Sequence, residues 1–172
     1  MKLTILGSGT AVPLKNRSAP ANYLKIKDKN ILVDCGSGAI RQLEKSGNSY
    51  KDLDYIFLTH FHPDHFSDLT ILIEALNYTP NFTRKKDLII LGPVGIKSFF
   101  SKYIAPIEGV RPKDFKIKIR EIVNEVHFED FRIEILNTNH NRESIAYKFT
   151  EKKKSLVISG DCGFEKGLID FS

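Results

Sequence analysis

The chain has 172 residues, of which 41% are hydrophobic and 27% are charged, and its 26 basic and 21 acidic residues give a net charge of +5. This composition is typical of one soluble globular domain with a real core, and it excludes a disordered or fibrous chain. No apolar run approaches the length of a membrane span, and two cysteines, Cys35 and Cys162, are too few for a disulfide framework. Because the first residues run directly into a strand-like segment without a signal peptide, we expect a cytoplasmic protein with reduced thiols.

The first half of the chain shows strand signals around one short helix. Apolar spacing and turn residues predict strands at 3–6, 23–27, 31–34 and 53–59. The second and third of these form a hairpin that turns at residues 28–30. A short helix starts near Ile40 and ends near Gly47.

The second half begins with helices and ends in alternating strands. Apolar residues at helical spacing predict helices over 69–76 and 96–103, with a buried strand at 88–91 between them. From residue 115 onward apolar and polar residues alternate, which predicts half-buried antiparallel strands near 115–119, 131–135 and 145–149. A further buried strand is predicted at 156–158. Two sheets with helices outside them fit this order.

Three of the five histidines fall within six residues, together with an aspartate. They follow a buried strand and precede a helix, which is where α/β folds commonly place ligand sites. His60 and His62 are two residues apart, so in an extended segment they point the same way and can share one metal ion. Asp64 and His65 come after the turn at Pro63 and can face a second position nearby, which would allow a two-metal site built from neighbouring loops.

Two later residues are candidates to complete such a site. His140 follows a predicted strand and lies in a polar loop. Asp161 follows the strand at 156–158 and is flanked by Gly160 and Gly163. Glycine lets the backbone approach neighbouring groups closely at this place. A carboxylate at a strand end is well placed to bridge two cations.

This arrangement resembles the metallo-β-lactamase superfamily over nearly the whole chain. The resemblance is carried by the run His60-Phe61-His62-Pro63-Asp64-His65, the segment Leu32-Val33-Asp34-Cys35-Gly36, His140 and Gly160-Asp161. The opening Gly7-Ser8-Gly9-Thr10-Ala11-Val12-Pro13 is most similar to the branch that contains ribonuclease Z and related phosphodiesterases. The resemblance implies an α/β fold, an αββα sandwich of two mixed sheets with outer helices, in a single domain over residues 1–172.

The resemblance also implies a metal centre and a reaction. His60, His62 and His140 would hold one zinc ion, Asp64 and His65 a second, and Asp161 would bridge them. One or two zinc ions per chain are implied, with manganese or iron as alternatives. A zinc-bound hydroxide would attack a phosphorus or carbonyl centre, and Asp64, the implied catalytic residue, would ligate and orient it. Asp34 matches the family carboxylate that steadies the histidine loop, although a strand-end cap is an equally good interpretation.

Two departures from the family pattern matter. The family has one more histidine for the second metal, downstream of the Gly-Asp motif, but no histidine follows His140 here, and His127 is expected to face solvent or pack locally. Relatives also continue with another strand and several helices, so we expect residues 1–172 to be either the N-terminal portion of the full fold, which we favour, or a shortened member of the family. Cys162 stands where many relatives have threonine. We expect its thiol either to be inert and buried, which we favour, or to perturb the site.

The expected activity is metal-dependent hydrolysis of a phosphodiester in a small molecule or a nucleic acid. Two alternatives stay open: a hydrolase of another ester or thioester with the same metal core, and a truncated, non-catalytic metal-binding chain. The tRNA-cutting relatives carry a long flexible arm between the third histidine and the bridging aspartate. Residues 140–161 are too short for one, which counts against tRNA. No membrane partner is expected. An exposed sheet edge and an uncovered apolar face are also expected, and they predict either reduced stability or association, for example as a homodimer.

Overall fold

The computed structural model describes residues 1–172 and folds them into two β-sheets. Sheet one has the strand order β1-β2-β3-β4-β5-β6, at Lys2–Gly7, Ala21–Ile26, Lys29–Val33, Tyr55–Phe57, Leu88–Gly92 and Ile117–Glu121. Its first three strands pair antiparallel, and β3 to β6 pair in parallel. Sheet two has the order β10-β9-β8-β7, with β7 to β10 at Glu125–His127, Arg132–Asn137, Ile145–Glu151 and Lys154–Ile158.

Short helices lie outside the two sheets. Helices α1 to α5 span Ala39–Lys45, Pro63–Phe66, Asp68–Tyr78, Ile96–Phe99 and Lys166–Phe171, with a 3₁₀ turn at Tyr50–Asp52 and a π-helical turn at Phe100–Ile104. Helices α1, α3 and α4 pack on the outer face of sheet one. Helix α5 lies against the outer face of sheet two, where Nζ of Lys148 donates to the carbonyl oxygen of Phe171 at 2.8 Å. None of these helices combines the length and apolar character that crossing a membrane requires.

Sheet one separates two hydrophobic cores because side chains alternate between its faces. Leu32 and Ile56 point to the helices, whereas the adjacent Val33 and Phe57 point to sheet two. The ring of Phe57 meets Tyr147 edge-on, with a centroid distance of 5.3 Å. Burying one such aromatic side chain contributes about 1.5–3 kcal/mol. The stacking of the two sheets, and with it the position of their loops, therefore rests on this inner core.

Two expectations about strand direction were wrong. Strand β6 lies parallel to β5, although the alternation at 115–119 predicted an antiparallel strand. It alternates because it is the edge strand of sheet one and exposes one face. Sheet two is antiparallel throughout rather than mixed, because its strands are joined by connections too short for a parallel crossover.

The predicted hairpin is confirmed, but its turn comes one residue early. Ile26 pairs with Lys29, so the loop consists of Lys27 and Asp28, and Lys27 has a φ of 50°. A two-residue hairpin loop requires positive φ to match the twist of its strands. The register places the fully buried Ile31 opposite Leu24 on the inner face, and this burial outweighs the backbone strain at Lys27.

Candidate metal centre

The histidine cluster lies on the loop after β4, at the edge where the parallel strands of sheet one end. The N–H of Leu58 still donates to the carbonyl oxygen of Leu91 at 2.9 Å, and the pairing then stops. Pro63 begins α2, where the missing N–H of proline is not needed. The N–H of His65 donates to the carbonyl oxygen of His62 at 2.9 Å. The strand end and the helix start therefore fix the two ends of the cluster.

His60, His62 and His140 bring three ring nitrogens together. Nδ1 of His62 lies 3.1 Å from Nε2 of His60 and 3.0 Å from Nε2 of His140. Two nitrogens that bind one tetrahedral zinc ion at about 2.0–2.1 Å lie roughly 3.4 Å apart. A single nitrogen of His62 cannot pair well with two neighbouring rings at once, whereas a cation between the rings satisfies all three. The spacing and the donor set fit a metal ion.

His65 and Asp161 form a second group with His60, and the ligand atoms of this group lie within 4.8 Å of one another. Nε2 of His65 is 3.3 Å from Oδ1 of Asp161 and 3.8 Å from Oδ2 of Asp64. Oδ2 of Asp161 is also 3.7 Å from Nε2 of His140. The structure thus gathers all six predicted residues, and Asp161 reaches both groups.

The two buried histidines of the cluster have pKa values shifted in opposite directions. Burial, reinforced by the imidazoles of His65 and His62, lowers the pKa of His60 to about 3, so this ring is neutral near pH 7. Burial acts to lower the pKa of His65 as well, but the carboxylates of Asp34 and Asp161 outweigh it and the pKa is raised. Nε2 of His65 is buried and has no hydrogen-bond partner. Such an atom needs a ligand, and a metal ion is the one its neighbours suit.

Asp34 lies beneath the cluster and holds it through two hydrogen-bonded neighbours. Oδ1 of Asp34 accepts from the N–H of Thr59 at 2.8 Å, and Oδ2 lies 2.8 Å from Nδ1 of His65. Burial raises the pKa of Asp34, while the contacts with His65 and Thr59 act in the opposite direction. Of the two interpretations of Asp34, these contacts favour the one in which it steadies the histidine loop, because they turn Nε2 of His65 towards Asp161.

The loops that carry His140 and Asp161 are tied to each other. The hydroxyl of Thr138 donates to the carbonyl oxygen of Asp161 at 3.2 Å, and the N–H of Gly163 donates to the carbonyl oxygen of Asn139 at 3.0 Å. These bonds join the loop that carries His140, between β8 and β9, to the segment that carries Asp161, directly after β10. The relative position of the two side chains is therefore set by backbone, and not by the side chains alone.

The whole chain, residues 1–172, matches the family model described as anti-Pycsar protein Apyc1. The chain belongs to this family. It is 32% identical over 172 residues to a ribonuclease Z of Picrophilus torridus, which covers 98% of this chain and 55% of that protein. It is 29% identical over 157 residues to a ribonuclease Z of Archaeoglobus fulgidus, which covers 89% of this chain and 49% of that protein. The chain thus spans about half the length of these relatives.

Solved structures agree with the fold of this family member. Human tRNase Z, short form, has a TM-score of 0.80 at 28% identity, covering 97% of this chain and 71% of that one. The metallo-β-lactamase fold protein YhfI of Bacillus subtilis has a TM-score of 0.80 at 23% identity, covering 98% and 65%. The chain is a ribonuclease Z-like protein of the metallo-β-lactamase superfamily, as the resemblance predicted, and the two-sheet α/β fold is confirmed.

Thr59 contacts the cluster, although no sequence pattern had marked it as a candidate. Its hydroxyl lies 3.0–3.1 Å from both oxygens of Asp34 and 3.0 Å from Nδ1 of His60. Because the hydroxyl donates to the carboxylate, its oxygen accepts the Nδ1–H of His60 and leaves Nε2 unprotonated for a metal. The sequence contains a feature that could have identified Thr59, because it is a polar residue at the end of an apolar strand and directly precedes the first histidine. Gly160 packs so closely that a Cβ there would lie 2.8 Å from Cβ of Thr59.

Two other sequence expectations lie outside the centre. His127 is exposed and pairs with Glu125, so the expectation that it faces solvent or packs locally is confirmed. Cys162 is partly exposed, so the expectation of a buried thiol was wrong, because it follows Asp161 on an open loop rather than inside a core. Both Cys35 and Cys162 are free thiols.

Gly36 sets the distance between the Asp34 segment and the aspartate of the cluster. A Cβ at Gly36 would lie 1.9 Å from the carbonyl oxygen of Asp64 and 2.8 Å from Cβ of Ala19. We expect Gly36→Ala to lower the free energy of unfolding by about 1–3 kcal/mol, the range for overpacking, and to displace Asp64. Urea unfolding measures the first effect and retained metal the second. Gly167→Ala is the matched control, because that helical position has room for a Cβ. Equal stability of the two variants would contradict the close approach.

Proposed function

We propose that this chain is a metal-dependent phosphodiesterase whose centre holds one or two zinc ions. The observation that carries the proposal is the pair of ligand groups that share His60 and are joined by Asp161. Imidazole nitrogens and carboxylates at this spacing suit zinc, and manganese or iron are the next candidates. The relatives at about 30% identity carry the name ribonuclease Z, which supports a phosphodiester as the bond that is cleaved.

The residues divide into two sets of proposed ligands. His60, His62 and His140 would hold the first ion, Asp64 and His65 the second, and Asp161 would bridge them. When bound, such ions lower the pKa of a water towards neutrality and offset negative charge that develops on the phosphate.

Asp64 is the proposed catalytic residue. Its carboxylate is 3.8 Å from Nε2 of His65 and also lines a groove that opens to solvent, so it borders both the metal centre and the space for a substrate. A carboxylate in that position orients the attacking water and accepts its proton at Oδ1 or Oδ2. Thr59 and Asp34 keep His60 and His65 in the tautomers that this arrangement requires.

The segment between the third histidine and the bridging aspartate argues for a compact substrate. His140 and Asp161 are connected by β9, a two-residue turn and β10. Nothing in that connection projects far enough to grasp a folded RNA. We therefore propose a small phosphodiester or a short single-stranded oligonucleotide as substrate rather than tRNA.

Two further expectations carry over as proposals. The free thiols of Cys35 and Cys162 suit a reducing compartment such as the cytoplasm. Exposed apolar side chains such as Ile71 and Tyr78, on the outer side of α3, support a homodimer, which light scattering measures directly.

The substrate class is tested by comparing two chromogenic substrates. We expect the zinc-loaded chain to hydrolyse bis-p-nitrophenyl phosphate, and to lose this activity on chelation and regain it on adding zinc. Hydrolysis of p-nitrophenyl acetate should be much weaker. The reverse preference would contradict a phosphodiesterase and support the alternative of an ester or thioester hydrolase with the same metal core.

A further inference from the structure

A groove with two unpaired guanidinium groups adjoins the metal centre. It has a volume of about 420 Å³, within the range of roughly 300–1,000 Å³ that is usual for small-ligand sites. One wall contains Pro63 and Asp64 of the metal-binding loop, and the other walls contribute Arg17 and Arg41. The groove therefore borders the proposed metal centre through Asp64.

The segments that carry the two arginines are joined by one backbone and one side-chain hydrogen bond. Ala19, two residues after Arg17, donates its N–H to the carbonyl oxygen of Ser37 at 3.2 Å, just before α1 begins. Nε2 of Gln42, a residue of α1, donates to Oγ of Ser18 at 3.3 Å and joins the same two segments a second time. The backbone is thus held in place on both sides of the groove.

The charges in the groove have no counter-ion within the protein. Both arginines are exposed, and neither guanidinium forms a salt bridge or a side-chain hydrogen bond. Asp64 is the one acidic residue in the groove, and the proposed second metal would neutralise it. The groove is therefore a cationic cleft that is ready for an anion.

We propose that this groove is a subsite for a second phosphate group, a terminal phosphate monoester on the nucleotide next to the scissile phosphodiester. A phosphate monoester carries about −1.5 to −2 charges near pH 7 and offers three acceptor oxygens, which two guanidinium groups match in charge and geometry. This inference rests on the proposed function, and it narrows the substrate class to short oligonucleotides with a terminal phosphate.

The test compares three dinucleotides that differ only in the terminal phosphate: UpU, pUpU and UpUp. We expect one phosphorylated form to have a kcat/KM at least about tenfold above that of UpU, mainly through a lower KM, because charge-assisted bonds to phosphate are strong. Which form is preferred tells whether the groove lies on the 5′ or the 3′ side. The preference should shrink as salt rises, since the groove is open to solvent.

Variants assign the preference to the groove. Arg17→Ala and Arg41→Ala should each reduce the ratio between the preferred form and UpU to near one, and Arg41→Lys should keep part of it. Arg120→Ala removes the same charge on β6, at the opposite edge of sheet one, and should leave the ratio unchanged. Equal rates on all three dinucleotides, or a preference that survives both alanine variants, would overturn the subsite. Failure of wild-type chain to cleave bis-p-nitrophenyl phosphate would instead overturn the proposed function.

Discussion

Replacing His60 with alanine should remove the metal from the chain and reduce phosphodiester hydrolysis by more than about 100-fold. Loss of a residue that only hydrogen-bonds to a metal ligand already reduces metal affinity or activity by about 10–100-fold. His60 belongs to both ligand groups, so its loss weakens both positions at once. Burial lowers the pKa of His60 to about 3, so the ring is neutral near pH 7 and can offer a lone pair to a cation. Elemental analysis after gel filtration measures the retained metal, and bis-p-nitrophenyl phosphate measures the activity.

Two further variants make that result interpretable. His60 is fully buried, so His60→Ala also leaves a cavity, and its fold must be checked by circular dichroism. His62→Ala avoids this problem because His62 is exposed, and it should lose the first ion with the fold intact. His127→Ala is the matched control, since His127 lies outside the centre. Full activity in His62→Ala would contradict the proposed ligand set.

Asp34→Ala should have the largest effect on stability of any single change in this region. The carboxylate is almost fully buried. Its removal leaves the N–H of Thr59 without a partner, and Nδ1 of His65 keeps only the long 3.4 Å contact with the hydroxyl of Thr59. Breaking a buried charged pair in this way typically costs about 3–5 kcal/mol. We therefore expect a loss of this size in the free energy of unfolding, together with weaker metal binding. Urea unfolding of the metal-free chain separates the first effect from the second.

Asp34→Asn and Asp28→Ala provide the comparison. Asparagine keeps an acceptor for Thr59 but removes the charge, so it should restore part of the stability and little of the metal affinity. Asp28 is exposed in the β2–β3 turn, and its loss should change stability by a few tenths of a kcal/mol, or about 0.5 at most. If Asp34→Ala were as stable as Asp28→Ala, the carboxylate could not be the support of the histidine loop.

The residues of the proposed centre could be located from the sequence because they lie at the ends of strongly patterned elements. The apolar run before His60 and the helical spacing after Asp68 placed the cluster on a strand-to-helix loop, where the structure has it. His140 and Asp161 could be named as candidates for the same reason, because each is a polar residue that follows a predicted strand. These two residues are far apart along the chain, and the antiparallel pairing of β9 with β10 brings them together. The alternation of apolar residues had already indicated an antiparallel strand at β9.

Other features depend on tertiary contacts that no local pattern encodes. The direction of β6 is set by its pairing with β5, and an edge strand alternates in the same way in either direction. The groove with Arg17 and Arg41 exists because Ala19 bonds to Ser37 across two segments that the sequence separates. Thr59 gains its role only when Asp34 is buried beneath it, in a backbone conformation with a φ of 60° that is unusual for aspartate.

The metal content of the wild-type chain tests the central claim most directly. The chain is loaded with zinc, freed of unbound metal by gel filtration, and measured by elemental analysis alongside His60→Ala. The account predicts at least one zinc ion for each wild-type chain, because three histidine nitrogens converge at one point, and close to none in the variant. A wild-type chain that retains well under one ion, or the same amount as His60→Ala, would contradict a metal centre at these residues.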